Sequence, residues 1–231
     1  DEVDGLEVAP AHELLAAQRG EIIIRLWLDG FFWFPRRLFG IEQHLYAFYD
    51  QPELMKRMNR ELAEFNCRVI DALFPVLQPD MVGFAEDMSY NHGPMISREL
   101  CDEFLTPYYE EMLARLKEMD MYTIVDTDSD VTELVPWLQS VGVDGVLPLE
   151  RQAGVDAGRL REQFPDFCMV GHFNKLVMDQ GEEAIREEFE RLVPLMEQGG
   201  FIPSVDHQTP PRVSLEQYHT YLRLLREYTA M

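Results

Sequence analysis

The segment GFIPSVDH, residues 200–207, is an apolar run that ends in an aspartate and a histidine. Five more apolar runs along the chain also end in an acid or a histidine. They are IIIRLWL before Asp29, DMVGFA before Glu86, MYTIV before Asp126, VDGVLPL before Glu150 and DFCMVG before His172. In a barrel of parallel strands the carboxyl ends of all strands meet at one mouth, where such enzymes carry out their chemistry. The pattern therefore predicts both the fold and the location of the active site.

Helical patterns separate these apolar runs, which indicates an α/β protein with a parallel sheet and helical crossovers. We expect strands near 22–28, 81–85, 122–126, 143–148, 167–171 and 201–205. We expect helices over 54–73, from Ser97 to 116, and near 130–140, 156–164, 180–198 and 214–228. A closed TIM (β/α)8 barrel needs eight such units, and the sequence has about six. We therefore expect residues 1–231 to form one barrel domain that is incomplete and lacks the first βα units.

Composition excludes several classes of partner. The chain has a formal net charge of −22, so a nucleic-acid partner is not expected, because no basic stripe offsets phosphate repulsion. No apolar run is long enough for a membrane span. The three cysteines have neither zinc-ligand nor redox spacing, and we interpret them as buried thiols in a reducing cytoplasm. Nucleotide-binding and serine-hydrolase motifs are absent from the sequence.

Four residues at strand ends form the candidate catalytic group: Glu86, Asp126, Asp128 and His207. Oxygen ligands with one imidazole suit a divalent cation such as zinc, so the same four are the candidate metal ligands. Without a metal, crowding of the carboxylates would raise at least one carboxyl pKa and create a proton donor. The structural alternatives are that Asp128 and Asp130 cap the following helix and that Glu86 pairs with an arginine.

A second set of residues is predicted to bind the substrate. In GFFWFPRRLFG, residues 30–40, aromatic rings beside guanidinium groups fit an aromatic carboxylate or a conjugated ring, although a hydrophobic lid would show the same pattern. The polar loop EDMSYNHGPMIS adds groups that could hydrogen-bond a ligand. The candidate substrate-binding residues are Trp33, Phe34, Arg36, Arg37, Tyr90, Asn91, Glu150, His172 and Asp206.

Three segments resemble the uroporphyrinogen decarboxylase superfamily. They are FAEDMSYNHGPMISRELCDEFLTPYY, IVDTDSDVTELVPWLQSVGVDGVLPLE and GFIPSVDHQTPPRVSLEQYHTYLRLLRE. The resemblance covers nearly all of residues 20–228, and its more specific motifs are GPMIS…LTPYY and DH-x-x-PP-x-VS. It implies a (β/α)8 barrel that acts either as a porphyrinogen decarboxylase or as a cobamide-dependent methyltransferase, which exchanges methyl groups with a corrinoid protein. Family members extend further at the amino terminus, which is why we expect the first units to be missing.

The resemblance assigns roles to only some residues. His207 falls where the decarboxylases have a late-strand histidine, which fits substrate binding. Thiol-directed methyltransferases bind zinc with a His-x-Cys pair and a later cysteine, whereas this chain has Asp126 and Asp128 at the pair and His207 near the third ligand. A thiolate zinc site is therefore not implied, and an oxygen-rich site remains open. The DTDSD and VDHQTPP segments are more similar to methyltransferase-like members than to true decarboxylases.

We therefore expect an enzyme, either a corrinoid-dependent methyltransferase or a carboxy-lyase. The leading interpretation is demethylation of a small methylated or methoxylated compound, with a divalent metal at the mouth and a corrinoid carried by a partner protein. The alternatives are decarboxylation of uroporphyrinogen in porphyrin biosynthesis, which needs no cofactor, and a non-catalytic binding subunit. We also expect a homo-oligomer, because an incomplete barrel leaves open sheet edges.

Overall fold

The computed structural model describes residue 16 and residues 19–230. Its strands are β1 (Arg25–Asp29), β2 (Met81–Ala85), β3 (Ser89–Tyr90), β4 (Gly93–Pro94), β5 (Tyr122–Asp126), β6 (Gly145–Leu149), β7 (Cys168–Phe173) and β8 (Phe201–Val205). Six of them form one sheet in the order β1-β2-β5-β6-β7-β8, and every neighbouring pair is parallel. β3 and β4 form a separate antiparallel hairpin.

Helices follow the strands of the main sheet. They are α1 (Trp33–Phe39), α2 (Ile41–Asp50), α3 (Pro52–Leu73), α4 (Arg98–Phe104), α5 (Thr106–Lys117), α6 (Val135–Val141), α7 (Ala157–Gln163), α8 (Glu182–Met196) and α9 (Leu215–Thr229). Short 3-10 helices cover Arg151–Ala153 and Lys175–Val177. No helix in the described residues is long and apolar enough to cross a membrane.

The predicted parallel α/β fold is confirmed, and all six predicted strands are present within a few residues of their expected positions. The single helix expected from Ser97 to 116 is wrong, since two helices cover this segment and meet at Leu105. Pro107 lies in the first turn of α5, where its missing N–H costs little, and it cannot continue the hydrogen-bond ladder of α4. The segment around Trp33, which the sequence left as either a substrate-binding aromatic run or a hydrophobic lid, forms the short helix α1.

The hydrophobic core lies between the sheet and the helices. Phe84 of β2 contacts Tyr109 of α5 with ring centroids 5.3 Å apart, and Phe173 of β7 contacts Phe189 of α8 at 4.6 Å. These side chains are almost fully buried. Packing of this kind fixes the positions of the strands, and therefore the positions of the loops that follow them.

Gly83 of β2 leaves room for a large side chain on the neighbouring strand β1. A Cβ atom on Gly83 of β2 would lie 2.2 Å from the indole ring of Trp27 on β1. The indole therefore occupies the space that a side chain at position 83 would need. Among the described residues β1 pairs only with β2 and β8 pairs only with β7, so these two strands are the edges of the sheet in that part of the chain.

Candidate active site at the carboxyl ends of the strands

The loops after β2, β5 and β8 surround one cavity of about 510 Å³ that is open to solvent. We call it the mouth cavity. It is lined by Trp33, Ala85, Glu86, Asp87, Asp126, Asp128, Leu147, Pro148, Ser204, Val205, His207 and Gln208. All four candidate catalytic residues therefore reach the same cavity, as parallel strands with a common carboxyl edge require.

Glu86 differs from the other three because its carboxylate is fully used by hydrogen bonds within the protein. Its Oε1 accepts from the Phe31 N–H at 2.9 Å and the Tyr109 hydroxyl at 2.6 Å. Its Oε2 accepts from the Phe32 and Trp33 N–H groups at 2.8 and 2.9 Å. Burial raises the pKa of Glu86 to about 7. The four hydrogen bonds lower this pKa, but their effect is smaller than that of burial. Glu86 thus holds the free N–H groups at the start of α1. The alternative of an arginine pair does not apply, because backbone N–H groups and the Tyr109 hydroxyl are its partners among the described residues.

Asp126 is the carboxylate that remains available to a ligand. It ends β5, and its backbone carbonyl accepts from the N–H groups of Glu86 and Asp87 at 2.9 and 3.0 Å. No hydrogen bond from the described residues reaches its side chain, which faces the carboxylates of Asp128 and Asp87. Burial, then the negative charges of Asp128 and Asp87, raise the pKa of Asp126 to about 6. Such a group can hold a proton near neutral pH and deliver it to a substrate.

Asp128 and His207 form a pair across the cavity. Nε2 of His207 lies 3.3 Å from Oδ2 of Asp128, and both side chains are about one third exposed. The two residues come from loops after different strands, β5 and β8, 79 positions apart in the chain. Asp128 therefore does not act as a helix cap, since its carboxylate points into the cavity. The Asp130 side chain instead accepts from the N–H of Thr132 at 3.0 Å.

The four-residue metal site predicted from the sequence does not form. In the part of the chain that the structure describes, no three side chains of histidine, cysteine, aspartate or glutamate are placed to share one ion. The physical reason is clearest at Glu86, whose four donors leave its oxygens turned toward the protein. A zinc or other divalent ion held by these four residues does not fit this arrangement, and we derive no chemistry from one.

The predicted aromatic and arginine residues have different roles. Trp33 lines the mouth cavity. Phe34 instead lines a separate apolar groove of about 710 Å³ beside β1, which we call the β1 groove. The groove is lined by Trp27, Leu28, Asp29, Phe34, Leu38, Met58, Glu61, Leu62, Phe65, Asn66, Val69 and Ala85. Arg36 bonds to Asp87, with Nη1 2.8 Å from Oδ2, and Arg37 pairs with Asp29 at 3.2 Å. Neither arginine lines the mouth cavity.

The remaining predicted substrate residues lie outside the mouth cavity. Asp206 is fully buried, and its oxygens accept from the N–H groups of Arg151 and Lys175 at 3.2 and 3.4 Å. Glu150 accepts from the N–H of Ser129 at 2.7 Å, and the Lys175 ammonium lies 3.6 Å from both acids. These contacts connect the loops after β5, β6, β7 and β8.

His172, Tyr90 and Asn91 are also placed away from the cavity lining. His172 is buried, has the left-handed backbone value φ 62°, and its carbonyl accepts from Arg191 at 2.9 Å. Burial lowers the pKa of His172 to about 4, so its ring is neutral at pH 7. Tyr90 and Asn91 are exposed in and beside the β3–β4 hairpin. For these three residues the geometry supports no contact with a ligand in the mouth cavity.

Sequence reasoning missed other residues of the site. Asp87 lines the cavity, and its position directly after β2 was the signal that could have identified it. Leu147, Pro148 and Gln208 also line it, and they carry no chemical signal in the sequence. Tyr109 lies on α5, 23 positions from Glu86, so no local pattern predicts their contact.

A comparison with protein-family models matches residues 37–228 to uroporphyrinogen decarboxylase (URO-D). The chain belongs to this family. The uroporphyrinogen decarboxylase family fold is a TIM barrel, and the parallel six-stranded sheet is consistent with part of one. The matched region includes Glu86, Asp126, Asp128 and His207, whereas Trp33 and Arg36 precede it. A search of the curated proteins found no match.

Members of the uroporphyrinogen decarboxylase family are generally enzymes, and the family match alone does not distinguish methyl transfer from decarboxylation. The two reactions must therefore be distinguished by the chemistry of the residues that line the mouth cavity.

Proposed function

We propose that this chain carries the substrate site of an enzyme that removes a methyl group from a small, uncharged or cationic methylated compound. The observation that supports this proposal is the charge of the mouth cavity. Its lining, in the described part of the chain, includes the carboxyl groups of Asp87, Asp126 and Asp128, besides the buried Glu86, and neither lysine nor arginine. A small molecule without negative charge fits this lining, because an anionic one would be repelled by the carboxylates.

Asp126 is the proposed general acid. Methyl transfer breaks the bond between the methyl carbon and its heteroatom, and both electrons of that bond stay on the heteroatom. For an uncharged donor, a proton from Asp126 neutralises the heteroatom as the bond breaks, so the demethylated product leaves as a neutral alcohol, thiol or amine. A cationic onium donor is neutralised by the electron pair of the broken bond and needs no proton. The pKa of about 6 places the carboxyl group close to the range in which this transfer works at neutral pH.

His207 and Asp128 are proposed to return the proton. The 3.3 Å pair lies in the same cavity and is partly exposed, so the imidazole can exchange protons with water while the carboxylate orients it. Trp33, Leu147 and Pro148 supply apolar walls that would hold the body of the substrate.

The methyl acceptor implied by the family resemblance is a corrinoid carried on a separate protein. A corrinoid ring is too large for a cavity of about 510 Å³, and the cavity is open to solvent, which is compatible with presentation of the acceptor from outside. When bound there, the corrinoid would supply the nucleophile that takes up the methyl group. The residues of this chain would bind the donor, exclude water on the walled sides and provide the proton.

Decarboxylation of a porphyrinogen is the competing reaction, and the arginines do not favour it. Carboxylate groups of such a substrate would need free cations, whereas Arg36 is bonded to Asp87 and Arg37 to Asp29. The acids of the mouth cavity would repel a polycarboxylate.

The proposal is tested by incubating the purified chain with chemically reduced cobalamin and a panel of uncharged, cationic and anionic methoxylated or methylated compounds. We expect turnover with members of the first two groups and none with the anions, measured as loss of the reduced cobalamin spectrum and formation of the demethylated product. Asp126→Asn should abolish most of the turnover of the uncharged donors, whereas Asp29→Asn, a control at the end of β1 outside the mouth cavity, should not. Release of carbon dioxide from uroporphyrinogen without any demethylation would overturn the proposal.

A further inference from the structure

We propose that Arg36 is a positioning residue of the mouth cavity, which holds the Asp87 carboxylate and the Trp33 indole in the orientation in which they meet the substrate. Both of these side chains line the cavity, whereas Arg36 stands behind them. The inference rests on the proposed function in one respect, namely that the ligand in question is the methyl donor.

The first contact of Arg36 fixes a strained backbone. Asp87 has φ 43°, in the left-handed region that residues other than glycine rarely adopt and keep only when their surroundings hold them there. Nη1 of Arg36 donates to both the backbone carbonyl and Oδ2 of Asp87, the latter at 2.8 Å. On the other side, the Asp87 N–H donates to the carbonyl of Asp126 at 3.0 Å. Arg36 thus holds both the backbone and the carboxylate of Asp87 in one orientation.

The second contact of Arg36 fixes an aromatic wall. Its guanidinium carbon lies 5.2 Å from the centre of the Trp33 ring, within the range of a cation–π interaction. The Trp33 backbone is held separately, because its N–H donates to Oε2 of Glu86 at 2.9 Å. Adjacent residues of one strand end therefore secure α1 twice: Glu86 binds its first N–H groups, and Asp87 binds a side chain one turn later.

Burial distinguishes Arg36 from its neighbour. The Arg36 side chain is 17% exposed and the Arg37 side chain is 56% exposed, although both pair with an aspartate. An exposed pair contributes little, whereas a guanidinium held by two acceptors and a ring is difficult to replace or to release. Arg36 does not line the mouth cavity, and its Nη1 is held by Asp87, so a role in positioning replaces the role in carboxylate binding that its sequence context predicts.

The test compares Arg36→Met with Arg37→Met as a matched control, together with Arg36→Lys and Asp87→Asn. In the demethylation assay we expect Arg36→Met to raise KM roughly 10-fold with little change in kcat, since binding contacts shared by ground and transition states are lost. Arg36→Lys keeps the charge but not the planar guanidinium beside the Trp33 ring, and should lie between the wild type and Arg36→Met. Arg37→Met should leave both constants unchanged. Equal KM values for Arg36→Met and Arg37→Met would overturn the inference.

A second measurement does not depend on turnover. The chain has three tryptophans, and in a Trp27→Phe background the tryptophan emission comes only from Trp33 and the buried Trp137. We expect Arg36→Met to increase acrylamide quenching of this emission and to shift it, and Arg37→Met to do neither. If Arg36→Met fails to fold, Arg36→Lys and Asp87→Asn are measured in the same way and should show a smaller increase. Unchanged quenching in all of these variants would show that Arg36 does not hold Trp33. Absence of turnover with every donor, together with the expected quenching, would refute the proposed function and leave the positioning role standing.

Discussion

The hydroxyl of Tyr109 donates a 2.6 Å hydrogen bond to Oε1 of Glu86, and both residues are fully buried. This bond joins α5 to the loop after β2 beneath the mouth cavity. Glu86 in turn holds the start of α1, so three elements meet at one carboxylate.

Tyr109→Phe should lower the free energy of unfolding by about 1–3 kcal/mol, because it removes one donor from a buried acceptor. Urea unfolding followed by circular dichroism measures this loss. Tyr108→Phe, on the same helix, is the control, since the Tyr108 hydroxyl donates at 2.9 Å to the Lys56 carbonyl in a bond that is only partly buried, and should matter less. Equal effects of the two substitutions would argue against a special role for the Glu86 contact.

Glu86 and His44 should give opposite dependences of stability on pH. Burial raises the pKa of Glu86 from 4.5 to about 7, so the folded state binds this proton more tightly, and its contribution to stability falls as pH rises from 4.5 to 7. Burial, then the nearby Arg36, lower the pKa of His44 from 6.5 to about 4, so stability falls as pH decreases from 6.5 to 4.

His44→Phe tests the histidine part of this prediction. His44 is fully buried, its ring lies 4.6 Å from the Phe32 ring, and neither of its nitrogens has a hydrogen-bond partner in the described residues. We expect the variant to be at least as stable as wild type at pH 7.5 and to lose less stability at pH 5, by about 1–2 kcal/mol. Urea midpoints at the two pH values measure this, and His92→Phe, at an exposed position, should change neither.

Asp126 should control the pH dependence of turnover. If the protonated carboxyl group is the acid, the rate should be constant below pH 6 and fall above it, by up to about tenfold per pH unit. Asp126→Asn should lower turnover at least about 100-fold and remove this limb, with folding nearly intact. A rate that stays constant from pH 6 to 8 in the wild type would contradict the assignment.

Asp128 and His207 should act as one unit. We expect Asp128→Asn and His207→Ala each to reduce turnover about 100-fold, and the double variant to be little worse than either, because residues in contact are not additive. A double-mutant cycle on kcat/KM measures the coupling. Multiplicative losses would show that the two residues act independently.

The β1 groove should promote association between copies of the chain. β1 is an edge strand among the described residues, and Leu38 and Phe65 in the groove are 64% and 54% exposed. We expect sedimentation faster than that of a 27.0 kDa monomer, and faster still at high salt, which screens the net charge of −22. Phe65→Glu should reduce association, and Val76→Glu, exposed but outside the groove, should not. Monomeric behaviour at all salt concentrations would contradict this prediction.

The sequence was sufficient to locate the strands and the mouth. Strands buried on both faces are continuous apolar runs, and a polar residue marks the point where each chain segment leaves the core, as at Asp126 and His207. The same rule identified Glu86 and Asp206 as site residues, but their oxygens are bonded to N–H groups far along the chain. These N–H groups lie 54 and 55 positions away in the chain, so the sequence around each acid gives no sign of the contact. An acid that only holds loops together, such as Asp206, therefore looks the same in sequence as an acid that is free to react, such as Asp126.

At two strand ends, a buried acid is followed directly by a residue of the mouth cavity: Glu86 by Asp87, and Asp206 by His207. The first residue of each pair secures loops through backbone N–H groups, and the second lines the mouth cavity. Asp87 is also tied to Arg36 and to a left-handed backbone, whereas His207 has no such structural contact among the described residues, so selection for a new substrate can act on position 207 without disturbing the scaffold. A combinatorial library that varies positions 204, 207 and 208 and keeps 86, 87 and 206 fixed should retain a high fraction of folded members, and this makes the mouth a practical starting point for engineering.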